Sequence, residues 1–302
     1  MALTAAELRR RSLAPFTDKA GTFAPLKAAV FVLVVAPGVW IAWRYFTGNL
    51  GGFPLKVLLN ETGLWGLRFI IVTLAITPLR RVLQWPKLIT VRRMIGIAAF
   101  TYSAVHLWVY VPYMAYDWGR IGSEVVLRFY LLVGTIAVLA MLPLAVTSTD
   151  AMVKRLGGAR WRRLHQFVYA VGVLAMLHFY LLLIKTYDPE GHVLAGSLVL
   201  LLLYRVLYAW RGTMPTPWLI GLSIFAAAAT MIGHAAFFAI NSNGRLSAWA
   251  FLSSNFTLDG WMNPGWIVLA LGLGVTLAGW IRQRVSPKER RRGRLDAGAA
   301  AG

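Results

Sequence analysis

A chain of 302 residues that is 58% hydrophobic and only 14% charged does not have the make-up of a soluble domain, in which about a quarter of residues carry charge. A bilayer is the solvent this composition fits. The absence of cysteine excludes disulfides, thiolate iron–sulfur centres, redox thiols and a CxxCH haem attachment.

Residues 1–26 are polar and carry Arg9, Arg10 and Arg11. They read as a cytoplasmic tail. The apolar run at 27–46 is longer than a signal-peptide core, and no small-x-small cleavage site follows it, so it reads as a retained first span. Seven more runs follow, at about 62–79, 94–115, 126–147, 163–184, 193–210, 217–240 and 264–281. Each can cross roughly 30 Å of hydrocarbon. The runs are continuous rather than alternating, which favours helices over a β-barrel. The expected fold is all-α, a polytopic membrane helix bundle. After the fourth run, in "PLAVTSTDAMVKRLGG", Thr149 is placed to cap a short helix starting at Asp150, and Gly157 or Gly158 to end it. Residues 286–302 form a basic tail.

Charge sets the expected orientation. With the N-terminus in the cytoplasm, Lys and Arg fall on the inner side five times before the first span and five times after each of the second and fourth. Arg205 and Arg211, at the end of the sixth span, add two, and Arg282 to Arg294 add seven, which makes 24 of the 31. Both termini are then cytoplasmic, in a bacterial inner membrane. This bias accounts for most of the +20 net charge, so membrane lipid is the expected partner and nucleic acid is not needed. The eleven acids lie in tails and loops or at span edges. Ion-coupled carriers usually hold a carboxylate mid-membrane, and none is expected here.

Histidines carry the functional signal. His106 lies 13 residues past Arg93, roughly 20 Å along an outward-running span. His178 lies 15 residues past Arg163, roughly 22 Å along another. Two imidazoles at one depth on parallel helices form the ligand pair of a haem b. His165 sits two residues past Arg163 at the inner edge. It reads either as the ligand of a second cofactor or as an interfacial residue, and no histidine on the third span matches it. On an ideal helix it would point about 140° away from His178, unless Gly172 permits a distortion. Arg68 either snorkels to the outer surface or pairs with a haem propionate. His234 has no partner at its depth, and His192 reads as an outer-loop residue.

These stretches resemble a known family. "GLWGLRFIIVTLAITPLRR", "RRMIGIAAFTYSAVHLWVY" and "LPLAVTSTDAMVKRLGGARWRRLHQFVYAVGVLAMLHF" are similar to the MsrQ (YedZ) family, within the ferric-reductase-like transmembrane group. The similarity spans roughly residues 27–211. The resemblance implies a six-helix core at 27–211 holding haem b, with flavin mononucleotide (FMN) as a further cofactor. Its histidines fall on His106, His165 and His178. It also implies electron delivery from quinol, or from a cytosolic flavin reductase, to a periplasmic molybdopterin methionine sulfoxide reductase, MsrP. The chain departs from the family by two additional transmembrane helices within 212–285 and by the tail. The expected protein is thus an electron-transfer subunit and not the catalytic one. Two other readings stand beside it. One is a free-standing ferric-reductase-like cytochrome b with another acceptor. The other is a cofactor-free carrier or assembly protein.

Overall fold

The computed structural model describes residues 15–18, 21–183, 188–242, 245, 247–256 and 263–285. The expected tails, Arg9 to Arg11 and residues 286–302, lie outside them, as does Lys185 of the loop between the fifth and sixth spans.

Among the described residues the chain is helical, apart from a single bridge between Thr17 and Phe23. Eight helical segments are long and apolar enough to cross a membrane. The first is α1, Pro25–Phe46, followed by α2, Pro54–Val82. A 3-10 turn at Pro86–Val91 leads into α3, Arg92–Tyr113. Then come α4, Trp118–Leu127, and α5, Phe129–Val146. Two short helices, α6 at Asp150–Leu156 and α7 at Gly158–His165, precede α8, Val168–Leu183. The chain continues through α9, Pro189–Arg211, and α10, Thr216–Asn241. It closes with α11, Ala248–Ser254, and α12, Pro264–Val285. The protein is a polytopic all-α membrane bundle. Its outward faces are apolar: Leu33, Trp108, Leu139 and Ile224 are all exposed, as lipid-facing side chains must be.

Several boundaries differ from those expected. The second span starts at Pro54, not near 62, because proline suits a first helical turn, where its missing N–H leaves no bond unmade. The stretch expected as an outer loop at 116–125 is largely helical. Asp117 caps it by accepting the Arg120 N–H at 2.9 Å. The fourth span then begins at Phe129 rather than 126, since Arg128 is extended (φ −99°, ψ 105°) and separates α4 from α5. The short helix after the fourth span forms as its sequence suggests. Thr149 accepts the Met152 N–H, and Gly157 ends the helix at φ +76°, where glycine carries no steric penalty.

Packing divides the chain into two compact units. The described residues of 1–74 and 89–183 form the first, and those of 75–88 and 184–302 the second. In the first unit α1 packs on α3, α3 on α5, and α5 on α8. The Tyr102 hydroxyl of α3 donates to the Val34 carbonyl of α1 at 2.9 Å. Arg44 and Glu61 pair at 3.4 Å, and Arg93 holds Asp150 at 2.8 Å.

The second unit is built on α9, α10 and α12, with α12 lying chiefly on α10. Lipid offers no hydrophobic drive between helices, so small residues that permit close approach hold such contacts. Gly265, Gly272 and Gly279 recur every seven residues on α12. A Cβ on each would stand 3.0 Å from the Ala227 carbonyl, 2.7 Å from Ser223 Cβ and 2.7 Å from the Val82 carbonyl, respectively. Gly274, on the same helix, has nothing within 4 Å of that position. Gly272→Leu should therefore lower the thermal midpoint in detergent, at a cost of about 1–3 kcal/mol from overpacking. Gly274→Leu should leave it within a degree or two of the parent, measured side by side.

Candidate functional site

In the first unit, α3 and α8 bring His106 and His178 together. Their ring centroids are 6.2 Å apart, with the planes at 74°. Each ring is fixed by one bond. His106 Nδ1 lies 2.8 Å from the Leu59 carbonyl of α2. His178 Nδ1 lies 2.6 Å from the Tyr130 carbonyl of α5. A carbonyl oxygen only accepts, so each Nδ1 must carry the proton and donate. That assigns the tautomer of both rings: the lone pair is on Nε2 in each.

Two neutral imidazoles with both Nε2 lone pairs free of hydrogen are able to serve a metal centre as ligands. Histidine ligands ordinarily donate their other ring N–H to a carbonyl or carboxylate, which fixes ring orientation and strengthens the ligand. The separation also fits. Two nitrogens each about 2 Å from one metal ion, with half a ring's depth at either end, put the centroids about 6 Å apart. No group of three or more His, Cys, Asp or Glu suited to a bare ion occurs among the described residues. An iron whose remaining positions are filled by a macrocycle is one centre that two such imidazoles fit.

His165 is held differently. It ends α7, and its ring stacks on Trp161 at 3.9 Å. Thr147 Oγ1 sits 3.0 Å from His165 Nε2 and 2.7 Å from the Pro143 carbonyl. The hydroxyl hydrogen goes to that carbonyl, so His165 Nε2–H donates to the hydroxyl oxygen. Trp161 Nε1 donates to the Thr147 carbonyl at 2.9 Å. His165 is thus built into the joint where α5 meets α7. The helix is interrupted at Gln166 and Phe167, between His165 and the start of α8 at Val168. An ideal-helix angle between His165 and His178 does not apply, and the break falls there, not at Gly172. Arg68 of α2 lies over the Trp65 ring at 4.4 Å.

The second unit holds a histidine pair that the sequence did not disclose. His192 lies in the first turn of α9 rather than in a loop, and it is buried. Its ring centroid is 4.3 Å from that of His234, which is also buried. Asn263 orients this pair. Its Oδ1 accepts the Gly265 N–H at 3.1 Å, which turns Nδ2 toward His234 Nδ1 at 3.4 Å. Phe237 stands 5.0 Å from His192, and Phe251 5.0 Å from His234. At 4.3 Å these rings are too close to bracket a macrocycle as the first pair can. The cluster ties α9, α10 and the start of α12 together. The signal for it was present: Asp188 followed by Pro189 is a helix start, and it puts His192 inside a span.

Comparison with known proteins gives the class. Residues 62–176 match the family of the ferric reductase like transmembrane component; that stretch contains His106 and ends two residues before His178. Three relatives bear the name protein-methionine-sulfoxide reductase heme-binding subunit MsrQ. The protein from Caulobacter vibrioides is 40% identical over 185 residues, covering 61% of this chain and 86% of the relative. That from Rhodospirillum rubrum is 43% identical over 186 residues, covering 61% and 89%. That from Xanthomonas campestris pv. campestris is 42% identical over 187 residues, covering 60% and 85%. No solved structure matches. The fold is a multi-pass membrane bundle with a ferric-reductase-like domain. The chain belongs to the MsrQ family, and about two-fifths of it lies outside the matched length.

Asn263→Leu tests the cluster in the second unit. It removes the amide beside His234 and leaves a buried ring nitrogen without that partner, which costs about 1–3 kcal/mol. The thermal midpoint should fall, and His234→Leu combined with Asn263→Leu should cost less than the two single losses added together.

Proposed function

We propose that this protein is the haem-binding membrane subunit of a methionine sulfoxide reductase system, and that His106 and His178 would hold a haem b through their Nε2 atoms. The carrying observation is the pair itself: two imidazoles 6.2 Å apart, each fixed through Nδ1 to a backbone carbonyl. The relatives named as heme-binding subunits support the same reading. When bound, the haem supplies the one-electron chemistry that no side chain here provides.

The chain's own part is to hold the two rings. The carbonyls of Leu59 and Tyr130 keep both rings in one tautomer, so both Nε2 lone pairs are available together. In the family reading the activity is electron transfer to a partner enzyme. His165, joined to α5 through Thr147 and stacked on Trp161, marks the inner edge, where electrons enter or where a second cofactor sits. In this reading Arg68 would pair with a haem propionate.

The remaining assignments follow the family reading and the charge bias. The location is the bacterial inner membrane, with both termini in the cytoplasm. Residues 27–211 are the six-helix core, and 212–285 add two transmembrane helices. The donor is quinol or a cytosolic flavin reductase, with FMN as a further cofactor. The acceptor is MsrP, the periplasmic molybdopterin methionine sulfoxide reductase. Docking to it is weak and transient, since electron-transfer encounters bury little surface.

The purified protein should show a dithionite-reduced b-type spectrum. His106→Ala and His178→Ala should each lose most of it, because each removes one axial ligand. Full absorbance in both variants would exclude the assignment. In sealed, oriented vesicles, the pre-reduced protein should be oxidised when the periplasmic molybdopterin enzyme and a sulfoxide are added outside. Lasting reduction, with that enzyme active on a dye donor, would exclude the acceptor.

A further inference from the structure

Both imidazoles of the first pair lie directly on a glycine. A Cβ at Gly63 would stand 2.8 Å from His106 Nδ1 and 2.9 Å from its Cε1. A Cβ at Gly134 would stand 2.6 Å from His178 Nδ1 and 2.7 Å from its Cε1. These are shorter than carbon and nitrogen can approach without bonding, and the blocking atoms belong to a ring, which cannot fold away.

The two seats share one register. His106 donates to Leu59, four residues before Gly63, and His178 donates to Tyr130, four residues before Gly134. In an α-helix the carbonyl of residue i already accepts the N–H of residue i+4. Its second lone pair remains available, but the Cβ of residue i+4 tilts back toward the helix N-terminus and overhangs it. A glycine at i+4 clears that overhang. The same solution occurs on α2 for one ring and on α5 for the other.

We infer that Gly63 and Gly134 are positioning residues for the haem, acting through His106 and His178; this rests on the haem reading above. Each glycine admits the ring to the helix carbonyl, and the carbonyl bond makes the imidazole a stronger donor through Nε2. A stronger donor favours the ferric state, so the bond holds the midpoint potential down. An alanine methyl displaces the ring and lengthens or breaks the Nδ1–H bond.

The test is a redox titration and an EPR spectrum of Gly63→Ala and Gly134→Ala, beside two controls. Gly66→Ala disturbs the same pair of helices one turn away, where a Cβ would meet Ser103 Oγ at 2.7 Å and no histidine. Gly96→Ala lies on the helix of His106 and makes only ordinary contact, with Thr73 Cγ2 at 3.7 Å. The expected result is a higher midpoint potential and a high-spin ferric fraction in Gly63→Ala and Gly134→Ala, with both controls at the wild-type potential. Both seat variants at the wild-type potential and spin state would overturn the inference alone. So would their failure to accumulate while Gly66→Ala accumulates normally, since that marks a packing role. Wild-type protein without b-type absorption would overturn the haem reading and this inference with it.

Discussion

A neutral imidazole inside a bilayer must satisfy its N–H, and no water is there to do so. At His106 and His178 a helix carbonyl takes that hydrogen. Much else about the first unit follows from these two bonds. They fix which nitrogen carries the lone pair, and they require α2 beside α3 and α5 beside α8. They also require the helix surface under each ring to be bare. The packing of α5 on α8 and the approach of α3 to α2 are the scaffold for this arrangement. In the second unit His234 meets the Asn263 amide and lies close to His192. There the amide is already committed to the start of α12 through Gly265, and the rings lie too close together to admit anything large.

The two units therefore use paired histidines in different ways. The first keeps its rings about 6 Å apart, at the spacing of a shared iron. The second packs its rings nearly into contact, with Phe237 and Phe251 around them. Glycine has a matching pair of roles. On α12 it lets whole helices approach. At Gly63 and Gly134 it lets a side chain reach the backbone.

Much of the fold was legible in sequence, because a span is written in composition. Eight apolar runs gave eight spanning segments, and Thr149 and Gly157 marked the short helix between two of them. The meeting of His106 with His178 was legible as equal depth on parallel spans. What escaped was whatever depends on a local boundary or a lateral neighbour. Placing the sixth span a few residues late put His192 in a loop and hid its partner His234. The helix capped by Asp117, between the expected third and fourth spans, also escaped. The break after His165 has no proline or glycine to announce it. The seats at Gly63 and Gly134 could not be read at all, since a glycine four residues after a carbonyl has no meaning until a ring from another helix is placed over it.

The central claim is that one iron is bound by both rings. It is tested most directly by hyperfine EPR of the oxidised protein grown with 15N-histidine on a 14N background. Coupling from two histidine nitrogens to a single low-spin ferric iron is the predicted result, with the two-nitrogen pattern lost in His106→Ala and in His178→Ala. A single coupled histidine nitrogen, or none, would contradict it.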